Sequence, residues 1–316
     1  MFRVFTEVTK VSLLLEKITT KINKYRCDKT LRQVAMTVPA SYSSPHNVAI
    51  LSMVGKRVVY DYLVAVKSFL LYVGVKEVHV LSDGTLDVDD IRVLNQHVPG
   101  IIIHDADELD MSHLPRGNCW ERLVMLLTLA KDHYVIQLDA DIVINGEMGE
   151  VSKAIASNHG FILGNEKWKK PVSMKEMANI AKEWGSCHIQ GYSEQYFDRL
   201  PLFSESDCQY FRGCAAFVGL PASEHYLSIL RQFSAQMEAE IGDKWYLWGS
   251  EQVSSNVICS LSPGMSMLSW PKYQTYQFPL SNEPIKNASL IHFMGTYRYH
   301  KNMYKKIAQD AISSMV

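Results

Sequence analysis

The chain has 316 residues, of which 47% are hydrophobic and 21% are charged, and its formal net charge is -1 at pH 7. These proportions are ordinary for a globular protein, and a chain of this length can bury one large core or two modest ones. Because a near-neutral protein has no overall positive field to attract a polyanion, the charge argues against general nucleic-acid binding.

Cysteine content and hydropathy indicate the compartment. The six cysteines do not follow metal-finger spacing and, together with fourteen methionines, suit a reducing environment better than a disulfide framework. No apolar run approaches the roughly 20 residues that a membrane-spanning helix needs, and the first residues lack a signal-peptide pattern. We therefore predict a cytoplasmic protein, whose contact with a membrane would be peripheral.

The first 44 residues are predicted to form an N-terminal helical extension. Residues 1–40 carry eight lysines or arginines against three acidic residues, a net charge of +5. Aliphatic residues recur there at helical spacing, namely Val11, Leu14, Leu15, Ile18 and Ile22. This pattern predicts a basic amphipathic helix. Such a helix either packs on its own domain, the more common case, or lies on an anionic membrane.

A polar linker leads into the main domain, which is predicted to span residues 45–316. In its first half, predicted strands alternate with predicted helices. Strands are predicted at 48–54, 77–81 and 101–104, and helices at 57–73, 88–96 and 117–131, before another strand begins at Tyr134. Repeated alternation of this kind implies right-handed crossovers. The sequence therefore predicts an α/β fold with a mostly parallel central sheet flanked by helices.

The second half of the chain is less regular. Predicted strands lie at 161–164, 214–218 and 289–293, and a predicted helix lies at 222–240. Another helix is expected to open near residue 250, with Ser250 as its N-cap. Residues 165–210 are polar and rich in aromatic side chains without a clear rhythm of strand and helix, so we interpret them as an insertion over the cleft. No internal repeat or further domain boundary is found.

Two carboxylates end the apolar run that begins at Tyr134. Asp139 and Asp141 are separated only by Ala140, and ligands of open α/β sheets bind beyond the carboxyl ends of the strands. Like charges this close repel unless a cation or a donor lies between them. Because Mg²⁺ and Mn²⁺ accept carboxylates and phosphates together, we interpret the pair as a clamp on a metal–diphosphate complex. Aspartates that cap a strand-to-loop junction are the alternative.

Late in the chain, His292, Gly295 and Arg298 follow one another at intervals of three residues. A neutral imidazole at a strand end can be a third protein ligand to Mn²⁺. Glycine lets backbone N–H groups approach a phosphate, and arginine can bind one with two hydrogen bonds. A buried, satisfied histidine followed by a basic turn is the alternative. The sequence contains neither the dinucleotide-binding pattern G-x-G-x-x-G nor the phosphate-binding loop G-x-x-x-x-G-K-[ST]. Phosphate contacts must therefore come from a metal and from basic side chains.

An aliphatic strand that ends in D-x-D, followed far downstream by H-x-x-G-x-x-[KR], resembles the nucleotide-sugar glycosyltransferases of the GT-A fold. The nearest group is glycosyltransferase family 8, which includes glycogenin and the bacterial lipooligosaccharide galactosyltransferases. The resemblance runs from about Val48 to Lys305. It implies a single GT-A-type domain that transfers a sugar from a nucleotide-diphosphate sugar, foremost a UDP-sugar, to a hydroxyl of a glycan or glycolipid, with retention.

The same resemblance implies the cofactor and its ligands. Asp139, Asp141 and His292 would hold Mn²⁺ (or Mg²⁺) on the diphosphate of the donor, with Ala140 and Gly295 beside it. Arg298 stands where the family has a lysine that touches the phosphates. In the helix before the D-x-D strand, Arg122 matches a basic residue near the donor. The alternative interpretation of Arg122 is an exposed charge on the helix surface.

Further likenesses are partial. The segment that starts at Glu251 and Gln252 resembles the D-Q-x-x-x-N helix start near the sugar, with Glu in place of Asp. Glu251 would orient an acceptor hydroxyl or act as general base, or it is a solvated helix cap. Asp83, after the second strand, would meet the base or ribose, or it only shapes its turn. Arg212 and the glycine after it stand where the family has an N-[AS]-G turn.

Two other functions fit parts of the sequence. The strand ending in Asp139 also matches the nucleophile motif of haloacid-dehalogenase-type phosphatases. That motif usually lies on the first strand of its domain, whereas three strands are predicted before it here. A non-catalytic nucleotide-sugar-binding protein is the other alternative, although all the metal residues are present.

The tail at residues 297–306 mixes cations with aromatic side chains, which suits a membrane interface and phosphate contacts about equally.

Overall fold

The computed structural model describes residues 2–185, 188–204, 208–276 and 285–315, with side chains except at residues 2–16, 286 and 296. Its strands, in chain order, are β1 (Val48–Val54), β2 (Glu77–Ser82), β3 (Ile102–Asp105), β4 (Tyr134–Leu138), β5 (Ile142–Ile144), β6 (Phe161–Leu163), β7 (Val172–Ser173), β8 (Gln209–Tyr210), β9 (Cys214–Leu220), β10 (Ser266–Met267), β11 (Tyr273–Thr275) and β12 (Leu290–His292).

Helices cover much of the remainder of these ranges. They are α1 (Phe2–Leu31), α2 (Val59–Leu70), α3 (Val88–His97), α4 (Trp120–Leu129), α5 (Gly149–Ala156), α6 (Met174–Trp184), α7 (Ile189–Glu194), α8 (Tyr226–Ile241), α9 (Ser250–Ser260) and α10 (Met303–Ser313). A 3₁₀ segment, Gly295–Asn302, connects β12 to α10.

Within the described ranges a seven-stranded sheet has the order β10-β6-β9-β4-β1-β2-β3. Neighbours are parallel except at β9, which runs antiparallel to both β4 and β6. Because β9 opposes both neighbours, β6 points the same way as β4. The carboxyl ends of β1, β2, β4 and β6 therefore share one edge with the amino end of β9, and we call it the site edge. The predicted α/β fold with a mostly parallel central sheet flanked by helices is confirmed.

Hydrophobic packing on both faces explains why β1 and β4 are almost wholly apolar. In β1, Ile50 and Val54 belong to a cluster that also contains residues of α2 and α10, whereas Leu51 belongs to a cluster with residues of α4 and α9. Successive side chains of a strand point to opposite faces, so the two clusters are the two sides of the sheet. A strand buried on both faces has no polar alternation to show in its sequence.

A second, three-stranded sheet joins the two ends of the main domain. After Asp141 the chain leaves the central sheet as β5, which pairs antiparallel with β12, and β12 pairs parallel with β11. In this register His292 lies opposite Ile142, and Phe293 N donates to Asp141 O at 2.9 Å. Residues far apart in the sequence thus meet at the site edge.

Several local predictions are corrected by the structure. The segment 165–210 is not irregular, because it contains α6 and α7; α6 buries Met177 and Ala181 and is capped by the Ser173 hydroxyl, which accepts from Glu176 N at 3.1 Å. Helix α2 ends at Leu70, three residues before the end predicted at residue 73.

The predicted cap of α9 is also wrong. Gly249, at φ 106°, is the residue that precedes the helix, and Ser250 is already its first helical residue. This backbone conformation is easy only for glycine, so the start of α9 is set by Gly249 and not by a side-chain cap.

The N-terminal helix forms as predicted but packs by a different face. Asn23 Nδ2 donates to Tyr299 O at 3.0 Å, and Cys27 is buried in the core. By contrast, Ile18 and Ile22 of the predicted apolar face are 45% and 46% exposed. The division into an extension of residues 1–44 and a domain of residues 45–316 stays a prediction. No helix in the described ranges has both the length and the apolar character required to cross a membrane.

Candidate metal and nucleotide site

The D-x-D segment is a tight turn between the two sheets. Asp139 N donates to Ala216 O of β9 at 2.9 Å, which continues the ladder of β4, and Ile142 N donates to Asp139 O at 3.2 Å. Both carboxylates therefore leave the backbone where the chain passes from β4 to β5. This is the position at the carboxyl end of a central strand that the sequence predicts.

His292 lies beside these carboxylates because β5 and β12 are paired. Its Nε2 atom is 3.3 Å from Asp141 Oδ1, and one ligand atom of each of Asp139, Asp141 and His292 lies within 4.8 Å of the others. On the other side of the ring, Nδ1 is 3.7 Å from Cys214 Sγ and 3.4 Å from Thr275 Oγ1. The structure thus brings the three predicted ligands together and holds the imidazole from both sides.

Two arginines contact the D-x-D carboxylates. Arg122, on α4, contacts Asp139 Oδ1 with Nη1 and donates from Nη2 to Glu251 Oε1 at 2.9 Å. Arg298 donates from Nη2 to Asp141 Oδ2 at 2.6 Å. Arg122 and Glu251 are 7% and 5% exposed, so neither is the solvated helix residue that the sequence left as an alternative.

Burial and these cations set the ionisation of the acidic groups. Burial raises the pKa values of Asp139 and Glu251, although Arg122 between them acts in the opposite direction. Burial also opposes the ionisation of Asp141, but His292 and Arg298 outweigh it and hold the pKa of Asp141 below its ordinary value. Without a metal, the negative charge of the site is therefore balanced by side chains of the protein itself.

The donor set fits a hard divalent ion with some nitrogen affinity. Two carboxylates and one imidazole suit Mn²⁺, and Mg²⁺ less well because of the nitrogen. Adjacent ligands of an octahedral ion with bonds of about 2.1 Å lie about 3 Å apart. The 3.3 Å between Asp141 Oδ1 and His292 Nε2 is close to that separation.

A cavity of about 260 Å³ opens at this point of the site edge. It is lined by Met53, Gly55, Val58, Asp83, Cys119, Arg122, Asp139, Ala140, Asp141 and Arg298. The ends of β1, β2 and β4 therefore contribute to one cleft, as the parallel sheet predicts. Phosphate-sized anions entering it would meet both arginines.

Asp83 both shapes its turn and lines the cavity. Its Oδ1 accepts from Thr85 N at 2.9 Å and from Thr85 Oγ1 at 2.6 Å. Its Oδ2 lies so close to Gly55 that a Cβ atom added there would be 1.9 Å away. Gly55 is thus required for the close approach of the two loops, and a contact of Asp83 with base or ribose stays a prediction.

Gln252 uses its whole amide to hold the start of β9. Its Nε2 donates to Gly213 O at 3.1 Å and to Asn256 Oδ1 at 3.0 Å, and its Oε1 accepts from Ala215 N at 2.9 Å. Because Cys214 between these two backbone groups touches His292, Gln252 fixes one wall of the site. A direct catalytic role for Gln252 stays a prediction, as does a phosphate contact at Gly295, whose φ is 56°.

Sequence reasoning missed Asp61. This carboxylate on α2 is 9% exposed, lies 3.7 Å from Arg298 Nη1 and accepts from Tyr304 Oη at 3.1 Å. The available signal was that Asp61 is the single acidic residue of α2 and lies among apolar and aromatic neighbours in the sequence. Arg298 is therefore shared between Asp141 and a second, deeper carboxylate.

The aromatic segment predicted over the cleft forms a wall with Arg212 whose contacts the sequence did not indicate. Arg212 Nε donates to Glu194 Oε1 at 2.9 Å and Oε2 at 3.0 Å. The Arg212 guanidinium lies 5.2 and 5.1 Å from the ring centroids of Trp168 and Trp184. Arg212 precedes β9 and Trp168 follows β6, on the side of Asp139 away from Asp83, whereas Trp184 ends α6 and Glu194 ends α7.

Asp61 gives a prediction for the pH dependence of stability. Burial raises the pKa of Asp61 from its ordinary value of 3.8 to about 6, against the opposing effects of Arg298 and Tyr304. The folded state therefore holds this proton more tightly, and the stability it contributes is lost as pH rises through that range. We compare the free energy of unfolding of the wild type with that of Asp61→Asn. The difference, wild type minus variant, should fall by up to about 3 kcal/mol between pH 4 and pH 7.

Urea unfolding of both proteins in EDTA at several pH values measures this difference. Asp110→Asn is the control, because hydrogen bonds from Ser112 lower the pKa of exposed Asp110, and its difference should run in the opposite direction. A difference for Asp61→Asn that stays flat or rises with pH would contradict the prediction.

Comparison with known proteins gives matches among solved structures only. No protein-family model matches the sequence, and no curated protein matches it. The bifunctional glycosyltransferase WbbM, in its apo form, is similar at 12% identity and TM-score 0.47, over 86% of this chain and 53% of its own. The chain thus spans about half of WbbM.

Two further similar structures are matched over nearly their whole length. Mouse xyloside xylosyltransferase 1 is 14% identical at TM-score 0.45, over 79% of this chain and 98% of its own. The galactosyltransferase LgtC, in complex with donor and acceptor sugar analogues, is 12% identical at TM-score 0.46, over 85% of this chain and 96% of its own. Identities and TM-scores this low leave the function to be inferred from the site itself.

Proposed function

We propose that the protein is a metal-dependent glycosyltransferase. It would transfer a sugar from a nucleotide-diphosphate sugar, foremost a UDP-sugar, to a hydroxyl of a glycan or glycolipid. The observation that carries the proposal is the convergence of Asp139, Asp141 and His292 within 4.8 Å in a cleft at the carboxyl ends of parallel strands. The arrangement of these groups matches the roles that the D-x-D and H-x-x-G-x-x-R motifs imply.

Each part of the cleft has a role in this proposal. Asp139, Asp141 and His292 would hold Mn²⁺ (or Mg²⁺), and such an ion would supply positive charge to a departing diphosphate. Arg298 already reaches the D-x-D turn and would contact a phosphate once Asp141 binds the ion. Gly295 and Ala140 would offer backbone groups beside it, and Arg122 would keep Asp139 in place.

Glu251 is our candidate for the group that meets the acceptor. It lies at the first turn of α9 and touches Arg122, which in turn touches Asp139. A carboxylate whose pKa is raised by burial is a better general base than a solvated one. Glu251 would act in that way or orient the hydroxyl, with Gln252 fixing β9 next to it. Retention of the anomeric configuration belongs to the proposal through the sequence resemblance.

From the order of the strands along the site edge we infer the order in which the donor and the acceptor would lie in the cleft. Asp83, after β2, would meet the base or ribose, and the diphosphate would lie at β4. The acceptor would lie toward Arg212, before β9, and Trp168, after β6. Aromatic rings bind the apolar faces of sugars and cations bind their hydroxyls, so such a wall suits a glycan. A cytoplasmic location with a peripheral membrane contact is part of the same proposal.

Thermal unfolding with ligands tests the proposal. Mn²⁺ and UDP added together should raise the Tm more than either alone, because each would complete the other's binding site. At about 100 times Kd, a ligand stabilises the folded state by about 2.7 kcal/mol. His292→Ala should lose the joint effect, whereas His46→Ala, an exposed position in the linker, should keep it.

Turnover distinguishes the alternatives. Mn²⁺-dependent release of UDP from a UDP-sugar supports the glycosyltransferase. Binding without release of UDP from any of a panel of nucleotide sugars indicates a non-catalytic binding protein. Phosphate release from p-nitrophenyl phosphate that is lost in Asp139→Asn would indicate the phosphatase, and the absence of any joint Tm shift would refute a nucleotide-sugar site.

A further inference from the structure

Helix α1 has two faces of different character over residues 17–31. One face packs on the domain through Asn23, Cys27 and Leu31, which are at most 9% exposed. On the opposite side Ile18, Ile22 and Tyr25 are 45%, 46% and 71% exposed, and we call these three side chains the α1 stripe. At 100° per residue they lie within about 60° of one another around the helix axis.

Cations surround the α1 stripe. The exposed side chains beside it include Lys17, Lys21, Arg26 and Lys29, and none of these four forms an ion pair with the residues whose side chains the structure describes. Asp28 is occupied by Lys24, at 2.7 Å. Residues 17–40 carry six lysines or arginines and one acidic residue, a net charge of +5 against -1 for the whole chain, so positive charge is concentrated in this part of the chain.

Charge decides between the partners that could cover the stripe. If a second copy of this chain packed stripe against stripe, lysines and arginines would flank lysines and arginines, and like charges repel. An anionic bilayer would neutralise the same cations while burying the two isoleucines, and tyrosine is a side chain typical of the bilayer interface. In the sequence, Val11, Leu14 and Leu15 continue the same helical spacing toward the N-terminus.

We propose that the α1 stripe is a docking surface for an anionic lipid bilayer. The helix would lie in the interface with Ile18, Ile22 and Tyr25 among the headgroups and acyl chains, while Lys17, Lys21, Arg26 and Lys29 contact lipid phosphates. The opposite face keeps its contacts with the domain. Binding of this kind combines buried apolar area with electrostatic attraction, and neither part alone is strong.

The position of α1 gives this surface a consequence for the active site. Asn23 donates to Tyr299 O, and the Lys24 amine lies 5.7 Å from the centroid of the Tyr299 ring. The preceding residue, Arg298, contacts Asp141. A bilayer at the α1 stripe would therefore be separated from the segment that contains Arg298 only by the width of one helix, about 10 Å. It would favour a lipid-linked acceptor, a consequence that rests on the proposed function, whereas membrane docking itself does not.

Co-sedimentation of the full-length protein with vesicles tests the docking surface. Vesicles of phosphatidylcholine alone are compared with equal parts of phosphatidylcholine and phosphatidylglycerol, at low and high salt. We expect binding to the anionic vesicles, weakened by salt, and loss of at least about tenfold in partitioning for Ile18→Glu/Ile22→Glu. The matched control is Val88→Glu/Ile91→Glu, which changes the same charge at two exposed apolar positions of α3.

The outcomes are distinct. The proposal is overturned if the wild type does not bind anionic vesicles, or if Ile18→Glu/Ile22→Glu binds them as well as the control. It is also overturned if the wild type is a dimer that becomes monomeric in this variant while vesicle binding is unchanged. UDP release from a UDP-sugar in the absence of vesicles should be equal in all three proteins, so a failure of docking and a failure of the proposed enzyme activity are separately visible.

Discussion

Asp141→Asn is expected to lower sugar transfer by about 10³-fold or more, the loss that corresponds to about 4 kcal/mol of transition-state stabilisation by a bound metal. Asp141 contributes twice to the site. Its Oδ1 lies 3.3 Å from His292 Nε2, and its Oδ2 accepts from Arg298 at 2.6 Å. Asparagine keeps the size of the side chain but not its charge, so both the ion and the arginine lose their anionic partner.

The measurement is the Mn²⁺-dependent rate of UDP release, together with Mn²⁺ affinity from electron paramagnetic resonance. Asp110→Asn is the matched control, because Asp110 is an exposed carboxylate that also pairs with an arginine, Arg231, at 2.8 Å. It should leave both quantities unchanged. If Asp141→Asn retained wild-type affinity for Mn²⁺ while losing activity, the carboxylate would not be a metal ligand and the reading of the site would have to change.

The central strands and the acidic turn were predictable because local rules decide them. The run Val48–Val54 is apolar, of strand length and bounded by polar residues, and the structure places β1 at the same bounds. Asp139 and Asp141 follow a run of the same kind. Once parallel strands are inferred, their carboxyl ends must share an edge, which is why Asp83 could be placed in the same cleft.

The meeting of His292 with Asp141 does not follow from spacing. It depends on the antiparallel pairing of β5 with β12, and each of these strands has only three residues. Short strands carry too little pattern to predict their partner, so periodicity alone could not join the two ends of the domain. The contact was predicted only because the D-x-D and H-x-x-G-x-x-R motifs resemble those of glycosyltransferase family 8.

The charge states and contacts of buried polar side chains were beyond sequence analysis. A charged residue on an amphipathic helix, such as Arg122, is solvated in most proteins, and only the tertiary structure shows that it is buried between two carboxylates. The face of α1 that packs was likewise unpredictable. Its contacts run through Asn23 and Cys27, whereas Ile18 and Ile22 of the predicted apolar face are exposed.

The two acidic residues of the D-x-D turn are held in the same way. Arg122 lies between Asp139 and Glu251, and Arg298 lies between Asp141 and Asp61. Each arginine therefore shares its charge between a metal-binding candidate at the cleft and a carboxylate deeper in the fold. A divalent ion that binds both aspartates would compensate part of the negative charge that the two arginines now balance. The arginines would then also be able to contact a bound diphosphate.

Arg122→Met is expected to lower the free energy of unfolding by about 3–5 kcal/mol, the usual cost of removing one partner from a buried ion pair. The methionine fills much of the same volume, so the loss reports charge and not a cavity. Glu251 would remain buried without its cation, and the partly exposed Asp139 would lose the same partner. Arg231→Met, at an exposed pair with Asp110, should cost no more than about 1 kcal/mol. Urea unfolding in EDTA gives both values.

Two further comparisons separate this electrostatic cause from lost packing. In the Arg122→Met background, Glu251→Gln should restore part of the stability because it removes one of the two uncompensated charges. Without the arginine, the largest effect that opposes burial at Asp139 and Glu251 is gone, and the pKa values of these carboxyls rise further. The variant's folded state then binds protons more tightly than its unfolded state, and its stability falls as pH rises. Its deficit relative to the wild type should therefore be larger at pH 7 than at pH 5. Equal deficits at the two pH values, with no rescue by Glu251→Gln, would show that Arg122 acts through its packing.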